Sequence, residues 1–170
     1  MMLHLGSYLI IIEIKREGGV FMAKHTAEEV AKWFLSHNRM IEDDEGAELI
    51  SNLKLQKLLY YAQGCFLAVT GEPLFDDNIV AWEHGPVVES IYRKYKQFGS
   101  KGISFDEDFD SMFTLEEEDL LNEVYNEFGQ FSAWKLRNMT HEESPWKETP
   151  QNSVIQQQKI KDYFEREYLE

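Results

Sequence analysis

The chain has a single cysteine, four prolines and no long apolar run near its start. One cysteine cannot form an intramolecular disulfide, so nothing in the sequence requires an oxidising compartment. The apolar run at residues 9–12 is far shorter than the roughly 20 residues of a membrane-spanning helix. It also lacks the basic flank and the cleavage site of a secretion signal. We therefore expect a cytoplasmic protein that makes no contact with a membrane.

Sequence signatures of enzymes are also absent. The ten glycines never fall into the spacing of a nucleotide-binding loop, and no Gly-x-Ser-x-Gly elbow is present. The five histidines are scattered without the spacing of metal ligands. Cys65 falls inside an apolar helical pattern, which favours a buried and inert thiol. We expect no catalytic residue, no metal and no cofactor, and therefore not an enzyme.

Basic residues are few, with 17 Lys and Arg against 31 Asp and Glu and a net charge of -14. Such a field repels a phosphate backbone and favours a basic partner, although acidity can also simply keep a small protein soluble. One local basic patch, residues 92–96, alternates with tyrosine as nucleic-acid-binding segments do. Its spacing fits the solvated outer face of a helix better. Nucleic acid is therefore an unfavoured partner.

The residues that are abundant predict a packed helical domain, since 43% of the chain is hydrophobic and 14% is aromatic. Capping boxes at Thr26 with Glu29 and at Thr114 with Glu117 mark two helix starts. A helix from Ser51 or Asn52 to residue 70 is apolar on nearly all sides, which is typical of a central helix. We predict a mainly α (α+β) fold, a compact bundle of about six helices around that central apolar helix.

The remaining segments predict a small antiparallel β element and several breaks. Residues 79–83 are expected to form a short strand, and Pro86 suits the first position of the helix that follows. Ser153 with Gln156 is expected to open the last helix. The acidic stretch 42–48 is expected to be a solvated connection.

Residues 1–21 leave two alternatives open. Residues 7–15 are rich in branched side chains and could form an extra strand. Alternatively, residues 1–21 are a non-native upstream extension, because residues 15–20 can be encoded by a purine run resembling a ribosome-binding site ahead of Met22. We favour Met22 as the start, which makes residues 22–170 a single domain.

Several motifs carry a resemblance to a known family. They lie at residues 54–63, 71–75, 79–82, 85–87, 91–96, 99, 140–142, 145–146 and 162–164. With these motifs the chain resembles the Panacea domain family, the antitoxin fold of SocA-like and phage-associated GepA-like proteins, from about residue 26 to residue 164. The resemblance implies an antitoxin that binds a protein toxin directly, and in one branch of the family an adaptor that delivers the toxin to a protease. A nucleic-acid-associated transcriptional regulator, using Arg93, Lys94 and Lys96, is the alternative function.

The candidates for partner binding combine rigid aromatic side chains, which commonly dominate interface energy, with neighbouring polar groups. They are Lys57, Tyr60, Tyr61, Trp82, Glu83, His84, Gly85, Pro86, Arg93, His141 and Trp146. A simpler interpretation makes Trp82 and Tyr60 core residues and gives His141 a stabilising role at a helix end. The acidic loops around them are expected to steer a basic toxin.

Overall fold

The structure is a computed structural model that describes residues 25–45 and 48–169. The two alternatives for residues 1–21 and the choice of Met22 lie outside the described residues. The elements are α1 (Ala27–Glu45), α2 (Asn52–Thr70), β1 (Val80–Trp82), β2 (Gly85–Val87), α3 (Glu89–Tyr95), a 3-10 turn (Lys96–Phe98), α4 (Leu115–Phe128), α5 (Ala133–Glu142), α6 (Ser144–Lys147) and α7 (Gln157–Tyr168). The predicted mainly α fold with a small antiparallel element is confirmed.

Helix α2 is the centre of the domain, as its all-round apolar pattern predicts. Every residue from 55 to 69 is buried, and the helix packs against α1, α3, α4, α5, α7 and β2. Its start is capped by Ser51, whose hydroxyl accepts a hydrogen bond from the Lys54 N–H. Its end is set by Gly71 at φ 80°, a left-handed conformation that glycine adopts without steric cost.

Both predicted capping boxes are present. The Thr26 N–H donates to the Glu29 carboxylate at 2.7 Å, and the Glu29 N–H donates to the Thr26 hydroxyl at 3.2 Å. Thr114 and Glu117 form the same reciprocal pair at the start of α4. The acidic stretch 42–48 is only partly a connection, because α1 continues through its first residues to Glu45.

Strands β1 and β2 form a tight hairpin, with Val80 opposite Val87 and Trp82 opposite Gly85. Two sequence predictions around it are wrong. Pro86 lies in β2, opposite Ala81, and α3 begins later at Glu89. Ser153 does not open the last helix, because its carbonyl accepts a hydrogen bond from the Ala81 N–H at 2.9 Å and so extends the hairpin.

Helix α7 packs against α2 at a position where only glycine fits. A Cβ built at Gly64 would overlap the ring of Phe164, which is fully buried. This close approach lets α7 pack tightly on α2 and places Phe164 in the core.

We predict that Gly64→Ala lowers the free energy of unfolding by about 1–3 kcal/mol, because the added methyl group overpacks the contact with Phe164. In an unhindered helix the same change would be stabilising by up to about 1 kcal/mol. Urea unfolding monitored by circular dichroism measures the difference. Adding Phe164→Leu should recover part of the loss, and a stabilised Gly64→Ala protein would contradict the prediction.

Candidate functional site

The polar side chains of α2 fasten the β hairpin to the core. Gln56 accepts a hydrogen bond from the Val88 N–H at 2.9 Å, and the Lys57 Nζ donates to the Pro86 carbonyl at 2.9 Å. Gly85, at φ 102°, lies directly over the lysine, since a Cβ there would come within 2.9 Å of the Lys57 Nζ. Because Gln56 and Lys57 are buried, these bonds satisfy groups that water cannot reach.

A buried carboxylate connects α2 and α7 to the segment between α5 and α6. Glu143, between α5 and α6, accepts hydrogen bonds from the hydroxyls of Tyr60 at 2.8 Å, Tyr61 at 2.8 Å and Tyr168 at 2.9 Å. Burial raises the pKa of Glu143, and the tyrosine hydrogen bonds oppose that rise. Burial and then the Glu143 charge raise the pKa of Tyr60 and Tyr61, so both stay protonated and donate.

Five of the sequence-predicted partner contacts are buried: Gly85 and Pro86 in the hairpin, and three residues of the central helix. Lys57, Tyr60 and Tyr61 are each 0% exposed, so a partner on the surface of this conformation does not touch them. The simpler interpretation of Tyr60 as a core residue is the one that the structure shows. All three lie on the central helix, whose every side is covered.

The other candidates, with the exception of Arg93, lie in the hairpin or around its tip. The Trp146 indole N–H donates to the Trp82 carbonyl at 2.9 Å, and its ring stacks on His141 with centroids 3.7 Å apart. The Trp82 ring meets Tyr92 edge to face at 5.0 Å. Exposed Glu83 and His84 form the turn itself. The structure thus brings together candidates that are far apart in the sequence.

Helix α5 adds two residues to this group at the tip of the hairpin, and the sequence analysis did not select either of them. Trp134 is 59% exposed and contacts His84 edge to face at 5.8 Å. The guanidinium of Arg137 lies 5.8 Å from the Trp134 ring centroid, within range of a cation–π contact. We name as the hairpin-tip surface the residues Trp82, His84, Tyr92, Trp134, Arg137, His141 and Trp146.

A signal for Trp134 was present in the sequence. The buried residues of α5 are Leu136 and Thr140, which are one helical turn apart. A residue two positions before Leu136 points to the opposite side of a helix, so Trp134 had to face away from the core. A tryptophan on a solvent face is uncommon and is informative for that reason.

The hairpin-tip surface places Arg137 close to His141 and to the buried Lys57. Burial, and then repulsion from Arg137, lowers the pKa of Lys57 beneath it to about 7. Burial, and then the charges of Arg137, Lys57 and His84, lower the pKa of His141, while a hydrogen bond with the Glu83 backbone opposes the shift. Within residues 25–45 and 48–169, neither Lys57 nor Arg137 forms an ion pair with a carboxylate.

Arg93 lies apart from this cluster of contacts. Its side chain is 72% exposed on α3 and is 3.8 Å from the carboxylate of Glu89. The neighbouring Lys94 is paired with Glu28 of α1. Because two of its three cations have acidic partners, the basic patch of α3 is a poor binding site for a phosphate backbone.

The described residues contain no membrane-spanning helix, no metal-binding cluster and no activated thiol. No helix there combines the length and the apolar character that crossing a membrane requires. No group of three or more metal-ligating side chains is found in the same part of the chain. Cys65 is buried, and burial raises the pKa of its thiol, so the reactive thiolate is disfavoured.

Comparison with known proteins gives the family. The profile described as "Antitoxin SocA-like, Panacea domain" matches residues 55–147, more than half of the chain, and the chain belongs to this family. A curated relative, Antitoxin SocA from Caulobacter vibrioides (strain NA1000 / CB15N), is 50% identical over 54 residues, which are 32% of this chain. That match spans 29% of the relative's length. No solved structure matches.

The resemblance predicted from the motifs is thereby confirmed. The matched region begins in α2 and ends with α6, so it contains the hairpin and all of the hairpin-tip surface. It also contains Lys57, Tyr60, Tyr61 and Glu143, which hold that surface on the core. Family membership and the described geometry therefore concern the same part of the molecule.

We predict that Glu143→Ala lowers the free energy of unfolding by at least about 3 kcal/mol, because three buried hydroxyls lose their acceptor at about 1–3 kcal/mol each. Urea unfolding measures the loss. Glu142→Ala is the matched control, since its side chain is 83% exposed and its ion pair with Lys147 is a surface pair of little weight. Equal effects of the two substitutions would contradict the role of Glu143.

We also predict a pH dependence that is specific to Lys57. Its pKa is lowered in the folded state from 10.5 to about 7, so between these values the unfolded chain binds more protons. Stability should therefore rise with pH above 7, by at most about 1.4 kcal/mol per pH unit. The measurement is the free energy of unfolding of the unaltered protein minus that of Lys57→Met, from pH 7 to 9.5. A difference that stays flat would contradict the buried, neutralised lysine.

Proposed function

We propose that the protein is an antitoxin that neutralises a protein toxin by direct binding, and that the hairpin-tip surface is the contact. Membership of the antitoxin family supports the function. The observation that carries the choice of surface is the exposure of Trp134, 59%, beside His84 and Arg137. Exposed tryptophan and arginine side chains are the types most enriched among residues that dominate binding energy.

The hairpin within this surface is held by hydrogen bonds before any partner arrives. Lys57 and Gln56 hold the hairpin from below, and the hydrogen bond from Trp146 to Trp82 holds it from the side. A partner would therefore meet a hairpin that is already held in place, which lowers the conformational entropy lost on binding. Neutralisation by coverage of the toxin requires no chemical step, in keeping with a proposed role that is not enzymatic.

The acidic remainder of the chain adds a proposal about the toxin. With a net charge of -14, the protein would attract a basic toxin and raise its association rate at low salt. Antitoxin and toxin would meet in the cytoplasm. As an adaptor, the protein would also deliver the bound toxin to a protease. It would bind the protease through a second surface. We also expect the gene of this protein to lie within a prophage.

The test is co-expression with the product of the neighbouring reading frame. The unaltered protein should restore growth and co-purify with that product. Trp134→Ala should raise the dissociation constant by at least about 30-fold, equivalent to about 2 kcal/mol, because an aromatic anchor is lost. Calorimetric titration measures the constant, and a thermal melt checks that the variant is folded.

Leu115→Ala is the matched control, since Leu115 on α4 is an apolar side chain with 78% exposure and lies outside the hairpin-tip surface. It should leave the dissociation constant within about twofold. Equal losses in both variants would overturn the choice of surface. A neighbouring product that neither harms growth nor binds the protein would overturn the antitoxin function itself.

A further inference from the structure

We propose that the partner inserts one acidic side chain, an aspartate or glutamate carboxylate, against Arg137 and His141 at the hairpin-tip surface. This inference rests on the proposed function, because it names the chemistry by which the toxin would be held. The occupant is a single carboxylate on a protein surface. Three features support this ligand: hydrogen-bonding atoms without partners, positive charge without an ion pair, and exposed neighbouring side chains.

Two polar atoms at this place have no hydrogen-bond partner among the described residues. The Nε of Arg137 and the Nε2 of His141 are both shielded from solvent and unpaired. Folded proteins leave few buried polar atoms unsatisfied, so such a pair in one place calls for an explanation. A carboxylate supplies two acceptor oxygens and matches the planar donors of a guanidinium.

The charges around the two atoms favour the same ligand. The charges that act on His141 are those of Arg137, Lys57 and His84, and all three lower its pKa. Repulsion between Arg137 and Lys57 is likewise unrelieved by any ion pair in the described part of the chain. An arriving carboxylate would reduce that repulsion, favour protonation of His141 and turn its Nε2 into a donor.

The negative charge of the rest of the protein favours a single side-chain carboxylate over a polyanion as the ligand. A nucleic acid would carry its next phosphates over a protein with a net charge of -14, which is unfavourable. One acidic side chain brings a single negative charge. Because both atoms are covered in this conformation, the carboxylate reaches them only when the exposed side chains beside them, His84 and Trp134, move aside.

The first experiment uses acetate as the probe and needs no toxin. The Arg137 Nε–H and the His141 ring are followed by NMR during titration with sodium acetate, with chloride keeping the ionic strength constant. We expect saturable shifts of both groups, which Arg137→Gln abolishes at His141. Arg166→Gln is the matched control, because Arg166 is exposed on α7 and pairs with Glu167. Absent shifts, or shifts at His141 that persist in Arg137→Gln, would overturn the inference.

The second experiment uses the complex with the neighbouring gene product. Arg137→Gln should raise the dissociation constant at least tenfold. Asp→Asn or Glu→Gln at the toxin carboxylate that binds Arg137 should not raise the dissociation constant of the Arg137→Gln variant any further. If Trp134→Ala weakens the complex and Arg137→Gln does not, the carboxylate inference fails while the proposed function stands. If no complex forms, the proposed function fails, and the acetate titration still decides whether the carboxylate site exists.

Discussion

The structure depends on a helix that is buried on every side and yet carries polar side chains. Burying such groups is unfavourable unless each finds a hydrogen-bond partner, so the surrounding elements must take positions that supply one. Gln56 and Lys57 find theirs in the backbone of the hairpin, and Tyr60 and Tyr61 find theirs in Glu143. The polar groups of α2 therefore specify where the hairpin and the last three helices lie.

This arrangement connects the interior to the surface through the hairpin. Lys57 binds the carbonyl of Pro86 and lies against Gly85, so the hairpin follows the position of a core side chain. Above it, Trp82 receives the hydrogen bond from Trp146. While it is protonated, the buried lysine also lowers the pKa of His141. One residue of the core thus shapes both the geometry and the electrostatics of the hairpin-tip surface.

Local signals in the sequence were sufficient for the central helix and the capped helix starts, because a cap or a helical stripe is encoded within a few residues. They failed at Pro86 and Ser153, where hydrogen bonds from Lys57 and Ala81 across the fold decide the backbone. For the site, the sequence could not give the exposure of each candidate, since exposure is set by packing. Tyr60 is covered for that reason, and Trp134 is open.

The charges of the molecule act at two distances. The acidic exterior influences a partner over roughly a Debye length, about 8–10 Å at moderate salt, and favours a basic protein in general. In the proposed contact, the unsatisfied Nε of Arg137 and Nε2 of His141 would act only at close range, where an unmatched polar atom is costly. A basic partner without a well-placed carboxylate would be attracted and then poorly held, since those atoms would stay unsatisfied in the interface. Attraction at a distance and selection in contact would therefore depend on opposite charges of the same toxin.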